Sequence, residues 1–459
     1  VFAAVYGVLC GQAILIGYVL RGFAQSLSPL LGWSSSQLLL VFGGLTLGYT
    51  LLSGLLTVAY MDLLQFGLIM AGRLVLAAVL LVAAGGLGPV LERVLAVRGA
   101  AFLSPFPPSA AADASRFGEF ALDPLSLFAL AMVGLWSSAN HASPAVQKSL
   151  AARDERHAAM GQLFNTVLSL CVRTLPLILI GLCATALLPA GRHDTDQWAD
   201  LVRQHAPPGL YGFLLIGIIA GYTSTLAGLL NFGGSVLLTD VYKRVLRPQA
   251  SGREEIAAGR FLTLLTAVFG NLWAWLLLKH IDGAWINFMN SVVALFVLPV
   301  GLLRWLWWRL SIYGEMLSFV LAFPLAYVAW FGAFGLPALK DRPYWQAFAV
   351  LFGLGLLTLI VVTLLTPAAH RDVLQRFYEK VRPPGFWGPV RRALSDGPRY
   401  FAQWDDVLFG LYGSGFAAAL ILGMSALIVR KFSVGGVLIL LALLLGVQVL
   451  RRTTSAGVK

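Results

Sequence analysis

Apolar residues dominate this chain in long unbroken runs, and polar residues collect in short clusters between the runs. A helix rises about 1.5 Å per residue, so roughly 20 apolar residues are enough to cross about 30 Å of hydrocarbon. Backbone groups in lipid must bond within their own segment, which makes runs of this length helices. The pattern predicts an all-α, polytopic membrane protein with about twelve spans, at 3–28, 37–58, 62–86, 124–147, 160–189, 209–239, 257–278, 285–308, 313–335, 345–366, 408–428 and 433–450.

Composition and charge support this assignment and predict an orientation. The chain has 58% hydrophobic and 12% charged residues, whereas about a quarter of the residues of a soluble protein are charged. The net charge of +12 comes from short Lys and Arg clusters between spans, which argues against nucleic-acid binding. Twenty of these residues fall on one side of the membrane and ten on the other. We therefore expect a plasma-membrane protein, at the inner membrane in a bacterium, with both chain ends cytoplasmic.

One apolar run contains a cluster of hydroxyl side chains. Thr223, Ser224 and Thr225 lie inside the span at 209–239, and Asn231 follows further along the same run. Sodium is a hard cation that prefers oxygen ligands, so adjacent hydroxyls with carbonyls of a neighbouring unwound helix would make a site for it. The alternative is structural: Ser and Thr bond back to the preceding turn, and nearby glycines serve helix packing. Residue chemistry alone leaves both interpretations open.

The segment around this cluster resembles the signature helix of the solute:sodium symporter family. The family pattern has a Ser/Thr pair, Leu-Asn, a stretch of small residues and then Asp-x-Tyr followed by Lys or Arg. This sequence matches the pattern at Ser224-Thr225, Leu230-Asn231, Gly233-Gly234-Ser235 and Asp240-Val241-Tyr242-Lys243-Arg244. The resemblance implies that sodium is coordinated by the hydroxyls of Ser224 and Thr225 and by the backbone carbonyl of Gly221.

A second segment, at 47–66, resembles the family motif Tyr-Thr-x-x-Gly-Gly-x-x-Ala-Val-x-x-Thr-Asp-x-x-Gln. Asp62 and Gln65 match this motif, whereas Ser53 replaces its first Gly and Met61 replaces its Thr. The resemblance implies that Asp62 lies on the inward route of the cation. The alternative is a carboxylate at the start of a helix, which the positive end of the helix would stabilise.

A third segment, at 134–157, resembles the broken helix of the family through its tail, Gln147-Lys148-Ser149-Leu150-Ala151-Ala152-Arg153. The residues before this tail are polar and include Pro144, so we expect the helix to be interrupted there. Unwound backbone at membrane depth is tolerated beside a cavity, although a Pro kink with satisfied polar groups is the alternative. The candidate solute-binding residues in this stretch are Ser137, Ser138, Asn140, His141 and Ser143.

Further candidates carry weaker signals. The start of the span at 285–308 corresponds to a solute-facing helix of the family, but aromatic and amide side chains are also ordinary at a membrane interface. The candidates there are Trp285, Asn287, Asn290 and Ser291. Arg21 and Arg173 are cations within spans, and we expect each to find a partner or to extend to the interface.

The resemblance also implies an architecture. Members of this family have a core of two inverted five-helix repeats, the leucine-transporter-like fold. Three predicted spans precede the broken helix where the repeat needs five, so we expect a symporter fold lacking its first helices. Residues 1–335 would form core helices from the third onward, and 336–459 would form accessory helices with a basic cytoplasmic loop at 367–407. That loop either lies along the anionic inner leaflet or tethers the accessory helices.

The motifs predict a transporter rather than an enzyme. The sequence has no Walker loop, no His-Glu-x-x-His, no Cys pair at metal spacing and no Gly-x-Ser-x-Gly. We expect a sodium-coupled symporter in the bilayer that imports a small organic solute by alternating access, with sodium as a transported ion. Two other classes stay open: a proton-coupled or uncoupled carrier on the same scaffold, and a non-transporting membrane sensor or scaffold.

Overall fold

The structure is a computed structural model. It describes residues 1–52, 55–104, 125–126, 128–129, 132–133, 147, 149–188, 194–277, 283–333, 335–383, 385–394 and 402–455. The regular secondary structure of these residues is helical, apart from an isolated bridge between Trp307 and Phe386. The chain divides into two compact units. Unit 1 comprises Val1–Pro105, Pro144–Ile281 and Ala417–Ala442, and unit 2 comprises Phe106–Ser143, Asp282–Phe416 and Leu443–Lys459.

Unit 1 holds the segments that carry the predicted sodium site. Its described α-helices are α1 (Phe2–Tyr6), α2 (Ala13–Leu31), α3 (Ser35–Leu52), α4 (Leu55–Ala83), α5 (Leu87–Arg98), α6 (Glu155–Val167), α7 (Thr174–Leu187), α8 (Asp194–His205), α9 (Pro208–Leu237) and α10 (Gly252–Leu277). Three π-helical segments continue these helices, at Gly7–Gln12, Leu168–Arg173 and Leu238–Leu246. A short 3-10 helix follows α5, at Ala100–Leu103.

Unit 2 has the described helices α11 (Gly283–Val292), α12 (Leu298–Leu306), α13 (Ile312–Phe331), α14 (Tyr344–Leu365), α15 (Arg371–Val381) and α16 (Gly388–Arg391). A π-helical segment, Val293–Val297, joins α11 to α12, and a 3-10 helix precedes α14 at Leu339–Asp341. The last two helices, α17 (Ala402–Ile428) and α18 (Phe432–Ser455), contribute residues to both units.

Eleven helical stretches of the described residues are long and apolar enough to cross a membrane. They correspond to eleven of the twelve predicted spans, and the remaining one, 124–147, lies largely outside the described residues. The predicted all-α, polytopic architecture is therefore confirmed. The division into a core at 1–335 and an accessory part at 336–459 stays a prediction.

The predicted break between residues 58 and 62 is wrong. Helix α4 begins at Leu55, so Asp62 lies about two turns inside the helix. The stabilising effect of a helix end on a carboxylate falls off within the first turn, which leaves the helix-start explanation of Asp62 without support.

Close approach of small residues brings α2, α9 and α10 together. A Cβ atom on Gly17 of α2 would lie 2.8 Å from the backbone nitrogen of Ala274, so the two backbones are in contact. On α9, a Cβ atom on Gly234 would overlap Thr263 of α10. Small residues allow membrane helices to approach in this way, and here they pack α10 against both α2 and the signature helix α9.

Polar and aromatic contacts add to this packing. The ring of Tyr222 on α9 stacks on Phe23 of α2, with centroids 3.8 Å apart. The side-chain amide of Gln12 donates to the backbone carbonyl of Leu229. These contacts leave the opposite side of α9 to face α4, where the predicted sodium-site residues lie.

The basic stretch predicted at 367–407 contains a small folded element within unit 2. Helices α15 and α16 bury an apolar cluster made of Leu374, Tyr378, Trp387 and Val390. The indole nitrogen of Trp387 donates to the carbonyl of Trp305 at 2.7 Å, and the amide of Phe386 donates to the carbonyl of Leu306 at 2.6 Å. These contacts attach the described part of this stretch to the end of α12.

Substituting Gly17 by Ala tests the backbone contact between α2 and α10. The added methyl group must separate the two helices, and overpacking of this kind costs about 1–3 kcal/mol. We expect the apparent melting temperature of the purified protein in detergent to fall by several degrees. Gly22→Ala on the same helix is the matched control, because a Cβ atom there meets nothing within 4 Å. Equal melting temperatures of the two variants would contradict the observed packing.

Candidate functional site

A cavity of about 870 Å³ lies within unit 1, beside α4 and α9 and the helical stretch formed by α6 and α7. It is in the range of small-molecule sites, which measure roughly 300–1,000 Å³. The residues that line it include all four predicted to handle the cation: Asp62, Gly221, Ser224 and Thr225. The structure therefore brings together two segments that are far apart in the sequence.

The three predicted sodium ligands lie on one face of α9. Residues spaced by three and four positions are neighbours on a helix, which places Ser224 and Thr225 one turn beyond Gly221. The hydroxyl of Thr225 donates to the carbonyl of Gly221 at 2.9 Å, and the hydroxyl of Ser224 donates to a carboxylate oxygen of Asp62. A hydroxyl has one proton and two lone pairs, so both oxygens keep lone pairs that a cation can bind.

These contacts agree in part with each interpretation of the hydroxyl cluster, the sodium site and the structural alternative. Thr225 bonds back to its own helix, as the structural alternative requires. Ser224 instead bonds to Asp62 on a different helix, and that contact joins two segments that resemble family motifs. The arrangement offers one carbonyl, two hydroxyls and a nearby carboxylate, which is an oxygen set suited to a hard cation.

A second polar contact joins the same two helices about one turn away. The side-chain amide of Gln65 donates to the hydroxyl of Thr223 at 3.2 Å, and this hydroxyl donates to the carbonyl of Ala220 at 3.0 Å. Gln65 also lines the cavity. The matched residues of the second motif, Asp62 and Gln65, thus both contact the Thr223-Ser224 pair.

The end of the signature segment is tied to the start of α10. The hydroxyl of Tyr242 donates to Glu254 at 2.7 Å, and the ammonium group of Lys243 lies 2.8 Å from a carboxylate oxygen of Glu255. These contacts explain the Tyr-Lys pair of the motif as a link between consecutive helices. They lie away from the cavity that contains Ser224.

The tail of the predicted broken helix also contacts the signature helix. The amide of Gln147 donates to the hydroxyl of Ser235 at 3.1 Å. Ser235 and Asn231 line a second cavity of about 470 Å³, which also has Glu255 and Arg260 in its wall. Asn231 and Ser235 of the signature segment thus line a different cavity of unit 1 from the one lined by Ser224 and Thr225.

The predicted solute-binding residues fall in other parts of the chain from the residues that line this cavity. Five of them, Ser137, Ser138, Asn140, His141 and Ser143, lie outside the described residues. The backbone of Trp285 and Asn287 forms part of α11, where Asn290 is half-buried and Ser291 is buried. Their role as solute contacts stays a prediction.

Two arginines, Arg73 and Arg173, also lie in the cavity wall, and with Asp62 they are its charged residues. Arg173 is the last residue of the π-helical segment Leu168–Arg173, and the sequence singled it out only as a cation within a span. Arg73 on α4 was missed, although a cation in the middle of an apolar span is itself a signal of function. Both side chains line the same cavity.

The fold and the site together define a multi-pass helical membrane protein with a cavity in unit 1 whose wall includes a cluster of oxygen atoms. Comparison with known families then identifies the class: residues 3–321 match the profile of the sodium:solute symporter family. This chain belongs to the sodium:solute symporter family. The resemblance stated from its motifs is therefore confirmed, and the family and its relatives are transporters.

Individual relatives are distant in sequence. The chain is 26% identical to sodium/myo-inositol cotransporter 2 of Bos taurus over 314 residues, which make up 61% of this chain and 45% of that protein. It is 27% identical to the sodium/proline symporter of Haemophilus influenzae over 195 residues, 40% of this chain and 36% of that one. The chain thus spans less than half the length of these relatives.

A solved structure supports the fold. The chain is similar to the substrate-bound, outward-open state of a Na+-coupled sialic acid symporter, with a TM-score of 0.59 and 16% identity. The match covers 80% of this chain and 75% of the other. The predicted leucine-transporter-like fold is therefore confirmed.

Replacing Tyr242 by Phe tests the link between the signature segment and α10. Phe lacks only the phenolic hydroxyl, so the variant loses the hydrogen bond to Glu254 and changes little else. We expect the apparent melting temperature to fall by roughly 2 °C. Tyr313→Phe is the control, because Tyr313 is 53% exposed and has no hydrogen bond to a described residue. If both variants melt together, the bond contributes nothing measurable.

Proposed function

We propose that this protein is a sodium-coupled symporter that imports a small organic solute by alternating access. Its membership of the sodium:solute symporter family supports this proposal. The observation that carries it is the contact between Ser224 and Asp62 at the wall of the cavity that Gly221 and Thr225 also line. The carboxylate gives this group of oxygen atoms a negative charge that attracts a cation.

In the proposed mechanism, sodium binds to the hydroxyls of Ser224 and Thr225 and the carbonyl of Gly221. Asp62 lies beside Ser224 and lowers the electrostatic cost of moving the ion between this site and the cytoplasm. Binding stabilises the outward-open conformation, in which the solute can enter, because a ligand shifts a conformational equilibrium by its difference in affinity for the two states. A charge crossing the membrane field contributes about 2.3 kcal/mol per 100 mV, so one or two sodium ions suffice to accumulate solute.

The solute and the surroundings are part of the same proposal. The relatives are named for myo-inositol and proline and the solved structure for sialic acid, which supports a small, polar organic solute. The candidate solute contacts remain Ser137, Ser138, Asn140, His141, Ser143, Trp285, Asn287 and Asn290. The location is a plasma membrane, the inner membrane in a bacterium, and the Lys and Arg distribution supports cytoplasmic chain ends.

Removing the two hydroxyls tests the sodium site. A ligand at about 100 times its Kd stabilises a protein by about 2.7 kcal/mol, so sodium should raise the apparent melting temperature relative to equal potassium. We expect Ser224→Ala with Thr225→Ala to lose most of this shift. Gly228→Ala on the same helix is the matched control, because Gly228 lies outside the cavity wall and a Cβ atom there meets nothing within 4 Å. A double variant that keeps the full sodium shift would remove the site assignment.

Uptake by proteoliposomes separates the proposal from the other classes. An inward sodium gradient should drive solute accumulation in the wild-type protein and fail to do so in the double variant. A proton-coupled or uncoupled carrier would show uptake that does not respond to sodium. A membrane sensor or scaffold would show no uptake of any solute in a panel of polyols, amino acids and organic acids.

The charge of Asp62 has its own test. Asp62→Asn still accepts a hydrogen bond from Ser224 but removes the negative charge from the cavity wall. We expect the sodium concentration that gives half-maximal uptake to rise several-fold, while Asp62→Glu stays close to the wild type. Sodium dependence that is unchanged in Asp62→Asn would contradict the role of Asp62 on the ion route.

A further inference from the structure

We propose that the transported solute carries a carboxylate, and that this carboxylate binds between Arg73 and Arg173 in the cavity of unit 1. The inference rests on the proposed transport function and adds the chemical class of the solute. It depends on three observations: the depth of the two arginines, the charges around them and the local helix geometry.

Both arginines lie at membrane depth. Arg73 is near the middle of the span Tyr60–Ala83, and Arg173 is near the middle of the span Arg156–Leu187. A charged side chain at the centre of a span is costly, and such residues in membrane proteins face a cavity or a partner. Here both line the same cavity of about 870 Å³, so the cavity holds two positive charges far from the interfaces where such side chains normally extend.

The described cavity wall holds too little negative charge to offset them. Its only other ionised residue is Asp62, which accepts the hydrogen bond from Ser224. Among the described residues, no carboxylate forms an ion pair with Arg73 or Arg173. A sodium ion beside Ser224 would raise the positive charge further. An anionic solute would therefore bind more favourably than a neutral one, and sodium would strengthen its binding.

Guanidinium chemistry specifies the group that fits. Arginine presents a planar fork of N–H donors that matches a carboxylate with two parallel hydrogen bonds. Two such forks facing one cavity can hold both oxygens of a single carboxylate. Arg173 also ends the π-helical segment Leu168–Arg173, and both ends of this segment line the cavity. Single π-turns occur frequently at functional sites, where they change the direction of a side chain.

The rest of the cavity wall suits an organic solute of modest size. Apolar and aromatic side chains, among them Phe66, Trp198 and Phe213, share the wall with the polar residues Ser26 and Asn165. A site of this kind buries the carbon skeleton against apolar groups and orients it through a few polar contacts. The volume excludes large polymers and fits a single small metabolite.

The test uses matched pairs of solutes that differ in charge alone or nearly so. Glucuronate is compared with glucose, nicotinate with nicotinamide, and proline with prolinamide. Each is added to the purified protein in sodium chloride, and the apparent melting temperature is measured across a concentration series. We expect at least one carboxylate to stabilise the protein while its neutral or amide partner does not. A panel without any carboxylate-selective shift would overturn the inference, as would stabilisation by neutral partners to the same extent.

Variants then assign the effect to the arginines. Arg73→Gln and Arg173→Gln should each raise the apparent Kd for the stabilising carboxylate by roughly tenfold or more, since hydrogen bonds to charged groups are the strong ones. The Lys variants keep the charge and should lose less. Arg21→Gln is the control, because Arg21 lies in a span but outside the cavity wall. Carboxylate affinity that survives in both Gln variants would overturn the inference.

A failure of this inference can be told apart from a failure of the transport proposal. If sodium drives uptake of a neutral solute and both Gln variants transport it normally, the transport function holds and the arginine assignment is wrong. If the carboxylate preference and its loss in the Gln variants persist without any response to sodium, the arginine site holds and sodium coupling is wrong. The Lys variants keep this comparison valid if a Gln variant does not fold.

Discussion

A polar side chain inside a membrane span is costly without a partner, and in unit 1 two side-chain hydrogen bonds between α4 and α9 supply such partners. Ser224 bonds to Asp62, and Gln65 donates to Thr223, so side-chain hydrogen bonds join two helices from distant parts of the sequence. Because these bonds lie at the wall of the cavity, the same groups that hold the helices together supply its oxygen atoms. Stability and ion chemistry therefore depend on one set of contacts, while Gly234 packs α9 against α10 and Tyr222 stacks on Phe23 of α2.

Much of this arrangement could be predicted from the sequence, for physical reasons that are local. The length of an apolar run decides whether a helix can cross a bilayer, so eleven of the spans were recognisable one at a time. The Ser224-Thr225 pair and Asp62 could be singled out because each is a polar group in an apolar run that also matches a family motif. Motif matching could not predict that the two motifs are in contact. Contact between residues more than a hundred positions apart depends on how the helices pack.

The features that were missed depend on tertiary structure. The sequence predicts Asp62 at a helix boundary, because a charged residue in an apolar run usually marks a membrane interface. In the structure Asp62 lies inside α4, where Ser224 of α9 donates a hydrogen bond to it. Helices α5 and α8 form in stretches that are too polar to span a membrane, and they bury residues such as Val90 and Val202 in the core of unit 1. Arg73 was overlooked for the opposite reason: one charge among many apolar residues barely alters a hydropathy average, although its physical cost is high.

The attachment of α15 and α16 to the end of α12 has a consequence for how this protein meets bilayers of different thickness. Membrane helices usually adapt to a thicker or thinner hydrocarbon layer by tilting or by sliding their flanking residues past the headgroups. The bonds from Trp387 and Phe386 to the carbonyls of Trp305 and Leu306 anchor that end of α12 to a folded element too polar to enter the hydrocarbon layer. Sliding is thereby blocked at this end, so a change in lipid composition must be absorbed by tilt or by deformation of the lipid around it.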